Sequence, residues 1–167
     1  MTRAVDGGHY GFAVPVYLVR HAHAGNRSSW DGDDTSRPLS PKGRAQSAGL
    51  LEWLVDEPIT RVISSPAARC IETVAPLAEA RGLTVETKGW LAEGSGARSC
   101  IEAILTTGDD RVALCSHGDL IPKVIRQLRA DGMATKDPNL SQKGSTWVLE
   151  VADGRVVSGR YQPPAKT

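Results

Sequence analysis

The chain has 167 residues, 40% of them hydrophobic and 23% charged, with a net charge of +1. That length suits one domain with its own core, and so even a charge balance excludes the basic surface of a nucleic-acid binder. No apolar run reaches membrane-spanning length, and residues 1–13 hold no apolar block of the signal-peptide type, so the expected location is cytoplasmic, with no membrane partner. In chain order, residues 1–13 read as a flexible lead-in to a domain over 14–160. "VPVYLV" (14–19) predicts a strand. A helix follows over 41–57, capped by Ser40, with Pro41 in its first turn and Ala48, Leu51 and Val55 at helical spacing. "RVIS" (61–64) predicts a short strand. Ser65-Pro66 then opens a helix that runs to about Arg81, with Pro76 expected to kink it.

"TVETK" (84–88) is a weaker strand, 97–107 a helix and "RVALCS" (111–116) a buried strand. Residues 119–131 form a helix with Ile121, Val124, Ile125 and Leu128 on one face. "TWVLEV", the turn Ala152-Asp153-Gly154 and "RVVSGRY" form a hairpin. Residues 161–167 read as a flexible tail. Strands alternating with helices imply an α/β three-layer sandwich, a mainly parallel sheet flanked by helices and closed by a C-terminal hairpin.

In such sheets ligands bind beyond the carboxyl ends of the strands. Three strands end there in basic residues: the first in Arg20-His21, the second just before Arg69, the fourth in Ser116-His117-Gly118. Two Arg and two His, far apart in sequence, converge on one edge, where following helices also direct their N-termini. No carboxylate stands beside these four residues in sequence. Guanidinium forks match phosphate oxygens, so the cluster fits a phosphate site. The neighbouring cations should lower the pKa of His21. A neutral imidazole there is a nucleophile for phosphorus, and the cations spread charge from the transferring group. This chemistry calls for no metal and no other cofactor.

These motifs resemble the histidine phosphatase (phosphoglycerate-mutase-like) superfamily. "LVRHA" is similar to its Arg-His-Gly signature, "SSPAARCIETV" to its second arginine motif and "CSHGD" to its second histidine motif. The resemblance implies that His21 is the phosphorylated nucleophile and that Arg20, Arg69 and His117 bind the phosphate. The compact length and "DDTSRPLSPKGRAQ" (33–46) resemble the SixA-type phosphohistidine phosphatases. "CSHGDLIP" and "KGSTWVL" also resemble the phosphatase domain fused behind a Nudix hydrolase in some actinobacterial proteins. Ala22 departs from the usual Gly, but SixA-like sequences often carry Ala there, so the resemblance implies that its added methyl group does not crowd the pocket. Glu93 in "WLAEGSG" follows the third strand, and the resemblance implies a general acid there. The expected partner is a phosphorylated small molecule or a phosphohistidine protein.

Other residues read more plainly. His23 belongs to the loop or rim, Asp34, Arg37 and Pro38 hold the first loop, Ser65 caps a helix, Cys70 packs and Lys143 is solvated. Cys70, Cys100 and Cys115 read as reduced thiols. None begins a Cys-x5-Arg loop, since Pro76, Thr106 and Ile121 stand where the Arg belongs. "DGDDT" (31–35) fits Asp-x-Asp-x-Thr but lacks the strand that would aim its first Asp. "HAH" (21–23) with His117 as metal ligands is disfavoured by Arg20 and Arg69. A non-catalytic phosphoprotein-binding module and a hydrolase of nucleotide-derived phosphate are the alternatives. A mutase would need a covering lid, and the chain between Gly82 and Ala97 is too short to build one.

Overall fold

The computed structural model of the chain describes residues 2–3, 12–107 and 110–167. Among these residues seven strands form one sheet: β1 (Thr2–Arg3), β2 (Phe12–Arg20), β3 (Arg61–Ser64), β4 (Val85–Thr87), β5 (Val112–Ser116), β6 (Thr146–Ala152) and β7 (Arg155–Gln162). The order is β4-β3-β5-β2-β6-β7, with β1 against β2. β4, β3, β5 and β2 run parallel, and β6 and β7 complete the sheet antiparallel to their neighbours. The helices are α1 (Pro41–Leu54), α2 (Ala68–Ala80), α3 (Ala97–Thr106) and α4 (Leu120–Ala130).

Side chains alternate across the sheet with period two, and this alternation makes two cores. Val16 and Leu18 of β2 join Ile63, Leu114 and the apolar faces of α3 and α4. Tyr17 and Val19 point the other way, with Val62, Ala113 and Cys115, into Leu50, Leu54, Val74 and Leu77 of α1 and α2. The sheet is therefore covered on both faces, as the parallel arrangement requires. The expected three-layer sandwich and its closing hairpin are present. That hairpin turns at Asp153-Gly154, both left-handed at φ +52° and +75°, the geometry of a two-residue primed turn.

Several boundaries and faces differ from expectation. α1 ends at Leu54, not 57, and its buried residues are Gly43, Gln46, Ser47, Leu50 and Leu54. Ala48 and Val55 face solvent, because the packed stripe includes polar residues that a hydrophobic pattern does not flag. A Cβ on Gly43 would lie 1.9 Å from the His23 carbonyl oxygen, so this face approaches the backbone after β2 too closely for a side chain. Gln46 and Ser47 act through hydrogen bonds. The Ser47 hydroxyl donates to the carbonyls of Glu72 (3.2 Å) and Thr73 (2.7 Å). Pro76 lacks the N–H that would serve the Glu72 carbonyl, so α1 supplies the bond and α2 runs unbroken through Pro76. Of the lead-in expected over 1–13, residues 1 and 4–11 lie outside the described residues, whereas Phe12 and Ala13 belong to β2. The tail expected to be flexible from 161 begins inside β7, which runs to Gln162 because it pairs with Thr146. Pro163–Lys166 then line a hollow of about 350 Å³ with Gly49, Leu50 and Trp53 of α1.

Candidate active site

β2, β3 and β5 lie side by side in register, Arg20 opposite Ser116 and Ser64 opposite Cys115. Their carboxyl ends meet a cavity of about 410 Å³ whose wall includes Arg20, His21, Glu93 and His117. Four of the five expected site residues thus share one wall. Arg69 is in the same cluster but lies behind the wall, only 1% exposed.

His21 is 6% exposed. Its Nδ1 lies 2.8 Å from the Ala22 carbonyl oxygen. A carbonyl only accepts, so Nδ1 carries the proton and Nε2 keeps its lone pair. The pKa is pulled down to about 3, first by burial and then by the charges of His117, Arg69 and Arg20, against a partial lift from the Ala22 bond. The expected direction is right, but burial outweighs the arginines. The His21 and His117 rings meet edge to face at 5.4 Å. The Nδ1 of His117 faces Arg69 Nη2 at 3.5 Å and its Nε2 faces Ser65 Oγ at 2.8 Å. Ser65 is not the expected helix cap, since α2 starts at Ala68 with Ala67 as its N-cap: its hydroxyl accepts from Ala67 N (3.2 Å) and fixes the His117 ring. Cys70 packs under that ring, its Sγ 3.5 Å from Nε2.

Among the described residues the buried Nε of each arginine has no partner. Such orphans are uncommon in folded proteins and call for a reason. Arg20 Nη1 donates to the Ser141 carbonyl at 2.6 Å. The rest of its guanidinium lies on Gly118, where a Cβ would come within 2.5 Å of Cζ. A residue with a side chain at 118 would push Arg20 away, which explains His-Gly after β5.

Two carboxylates that are distant in sequence join the cluster, correcting the expectation of none. Arg69 Nη2 lies 3.2 Å from Asp34 Oδ2 and 3.5 Å from Glu93 Oε2, and Nη1 donates to the Asp34 carbonyl at 2.8 Å. Asp34 also accepts from Arg37 Nε at 3.0 Å. Burial alone would raise the Asp34 carboxyl, but the Arg37 bond and the nearby guanidiniums hold it below the usual carboxylate range. Asp34 and Arg37 hold the first loop as expected, and Asp34 covers Arg69 as well. Glu93 sits on the cavity wall, its Oε1 2.8 Å from Arg27 Nη2. Ala22 does not crowd the cavity: its methyl packs with Ala24 and Leu39, and its N–H donates to Thr73 Oγ1 at 2.9 Å.

His23 turns away to α1, its Nδ1 2.6 Å from Ser40 Oγ, so it does not gather with His21 and His117. Among the described residues no group of three or more His, Cys, Asp or Glu is placed to hold a metal ion. Sequence reasoning missed Arg27 and Asp119 and read Lys143 as solvated, yet all three line the cavity. Asp119 Oδ2 accepts from Gly94 N at 2.8 Å and so anchors the Glu93 loop. The one available signal was the position of Asp119 and Lys143 inside the quoted motifs "CSHGD" and "KGSTWVL".

Known proteins resemble this chain in sequence and in fold. The model of the histidine phosphatase superfamily (branch 1) matches residues 16–97, which hold Arg20, His21, Arg69 and Glu93. The chain is 32% identical over 155 residues to the 8-oxo-(d)GTP phosphatase of Mycolicibacterium smegmatis, covering 89% of this chain and 48% of that protein. It spans about half the length of the curated relatives it matches, or less. Among solved structures, the putative phosphohistidine phosphatase SixA of Nakamurella multipartitia superposes with a TM-score of 0.72 at 23% identity, covering 94% of this chain and 99% of that one. A protein histidine phosphatase SixA complexed with tungstate gives a TM-score of 0.71 at 19% identity, over 92% and 97%. These two likenesses show the fold. The strand-end arginines and histidines, the match of the family model and the shared architecture together place the chain in the histidine phosphatase superfamily.

Proposed function

We propose that the protein is a phosphatase that works through a phosphohistidine at His21 Nε2, with no metal ion in any step. The observation that carries this reading is the state of His21: Nδ1–H is committed to the Ala22 carbonyl, and Nε2 is left as a free lone pair at a wall of cations. Nε2 attacks phosphorus, the bond from phosphorus to the leaving group breaks, and the departing atom takes a proton. Arg20, with Arg69 behind it, balances charge on the transferring oxygens, and the unpartnered Nε of Arg20 is a donor available on the cavity wall. Water then attacks phosphorus, the P–N bond breaks and phosphate leaves. Glu93, on the cavity wall, is the group we assign to give the proton to the leaving group and to take one from the water.

The fold likeness to SixA proteins, one complexed with the tetrahedral oxyanion tungstate, supports a phosphohistidine or a small phosphomonoester as substrate. The identity with an 8-oxo-(d)GTP phosphatase over 89% of this chain favours a second reading, hydrolysis of nucleotide-derived phosphate. In either case the expected partner is phosphorylated. Among the described residues no helix is long and apolar enough to cross a membrane.

The test is a quenched turnover with a radiolabelled phosphomonoester. Wild-type protein should carry acid-labile, base-stable phosphate that maps to His21, and His21→Ala should carry none and turn nothing over. Undiminished turnover by His21→Ala would remove the mechanism.

A further inference from the structure

Among the described residues one cation of the cavity has neither a part in that reaction nor a carboxylate partner. Lys143 is half-buried and shares the cavity wall with Arg20, His21 and Arg37. Its backbone is fixed beside the nucleophile. The N–H of Gly144 donates to the carbonyls of Arg20 (3.2 Å) and His21 (3.1 Å). Gln46 Nε2 donates to the Lys143 carbonyl at 3.2 Å, and Gln46 Oε1 accepts from His23 N at 2.8 Å. One buried amide thus clamps the Lys143 turn to the segment that carries His21.

The other cations around the cavity have partners. Arg27 and Arg37 pair with carboxylates, and Arg20 donates to the Ser141 carbonyl. Among the described residues Lys143 makes no ion pair. Burial first, and then the charges of Arg20, Arg37 and Lys42, hold its ammonium below the usual pKa. A partly desolvated cation among like charges is relieved when an anion arrives. Of the carboxylates of the same cavity, Glu93 is held by Arg27, and Asp119 accepts from the Gly94 N–H through Oδ2 while its buried Oδ1 has no hydrogen-bond partner among the described residues; neither pairs with Lys143.

The geometry points to Lys143 as a specificity residue that takes a second anionic group of the substrate, a carboxylate or a further phosphate a few bonds from the phosphorus that is transferred. This inference rests on the proposed reaction at His21 and narrows its substrates to phosphorylated compounds with two anionic groups. A neutral leaving group leaves the ammonium unmatched, which lowers affinity more than it slows the chemical step.

Kinetics on matched substrates test it. 2-Hydroxyethyl phosphate carries no second anion, phosphoglycolate adds a carboxylate, and a nucleoside 5′-diphosphate adds a phosphate. Wild-type protein should favour at least one anionic member over 2-hydroxyethyl phosphate by roughly tenfold or more in kcat/KM, as for a charge-assisted contact, with most of the difference in KM. The favoured member tells carboxylate from phosphate. Lys143→Met should bring that ratio close to one, and Lys143→Arg should keep most of it. Equal loss on all substrates in Lys143→Met, or a wild type that does not prefer the anionic members, overturns the inference and leaves the His21 reaction standing. If wild-type protein releases no phosphate from these substrates or from para-nitrophenyl phosphate, it is the His21 reaction that fails.

Discussion

The floor and the rim of the cavity are built differently. At the floor, Arg20, His21 and His117 emerge from neighbouring parallel strands, and the sheet register sets their spacing. Their side chains are wholly or largely buried. At the rim, Arg27, Glu93 and Lys143 come from loops, and Arg27 and Glu93 are exposed and joined by an ion pair. Exposed ion pairs contribute about 0–1 kcal/mol each, so the Arg27–Glu93 side of the rim is easily rearranged, whereas moving the floor means breaking the sheet. Chemistry that tolerates little misplacement belongs at the floor, and substrate choice belongs at the rim.

Substitutions on either side break or sharpen this contrast. The largest effect should come from the floor. His21→Ala should lower turnover of para-nitrophenyl phosphate by about 10⁴-fold or more, as loss of a nucleophile does, with a thermal unfolding midpoint within a few degrees of wild type. Glu93→Gln, at the rim, should be selective. On alkyl phosphates, whose leaving groups need a proton, the loss should be on the order of 10²–10⁴-fold. On para-nitrophenyl phosphate it should be small. Equal losses on both would assign Glu93 a binding or structural role instead.

Arg69→Lys keeps the charge but loses the planar fork that meets the Asp34 carbonyl, the Asp34 and Glu93 carboxylates and His117. Activity on both substrates should fall by about 10²-fold, as when one oriented donor is removed from a transition state. A wild-type kcat/KM would show that Arg69 only holds the loop of Asp34.

The smallest effect is a slope. The folded pKa of His21 is about 3, below its ordinary 6.5, so the unfolded chain takes up the proton first. The neutral ring therefore adds stability that is complete above pH 6.5 and is lost as pH falls from 6.5 toward 3, by up to about 1.4 kcal/mol per pH unit. Urea unfolding between pH 4 and 8 should show this dependence in wild type and a flatter one in His21→Asn. By the same shift, kcat/KM should lack an acid limb near 6.5 from this group.

Much of the floor was legible because each residue is tied to a local pattern. Val16–Val19 alternates between two cores, the strand stops at Arg20-His21, and β5 does the same before His117. Arg69 was legible as a member of the cluster but not as the buried residue it is. Its cover, Asp34, arrives from a loop 35 residues away in sequence, and no spacing rule connects them. The packed face of α1 was misjudged for a related reason: Gly43, Gln46 and Ser47 are buried for close approach and hydrogen bonding, which hydrophobicity does not mark.

By itself the sequence determined the alternation of strands and helices, and through it the parallel edge at which two arginines and two histidines gather. Period-two and helical patterns are local, and the rule that parallel strands place their ends together is general. Only the tertiary structure decided which nitrogen of His21 holds its proton, which carboxylates answer Arg69, and that Lys143 faces the cavity with no counter-ion among the described residues. Chain folding across tens of residues brings the carboxylates within 3.2–3.5 Å of Arg69, the His21 proton follows from the turn of its ring toward the adjacent Ala22 carbonyl, and Lys143 reaches the cavity on a turn that Gln46 holds from α1. At that range hydrogen-bond geometry and burial set the charge state of a group, and residue type does not.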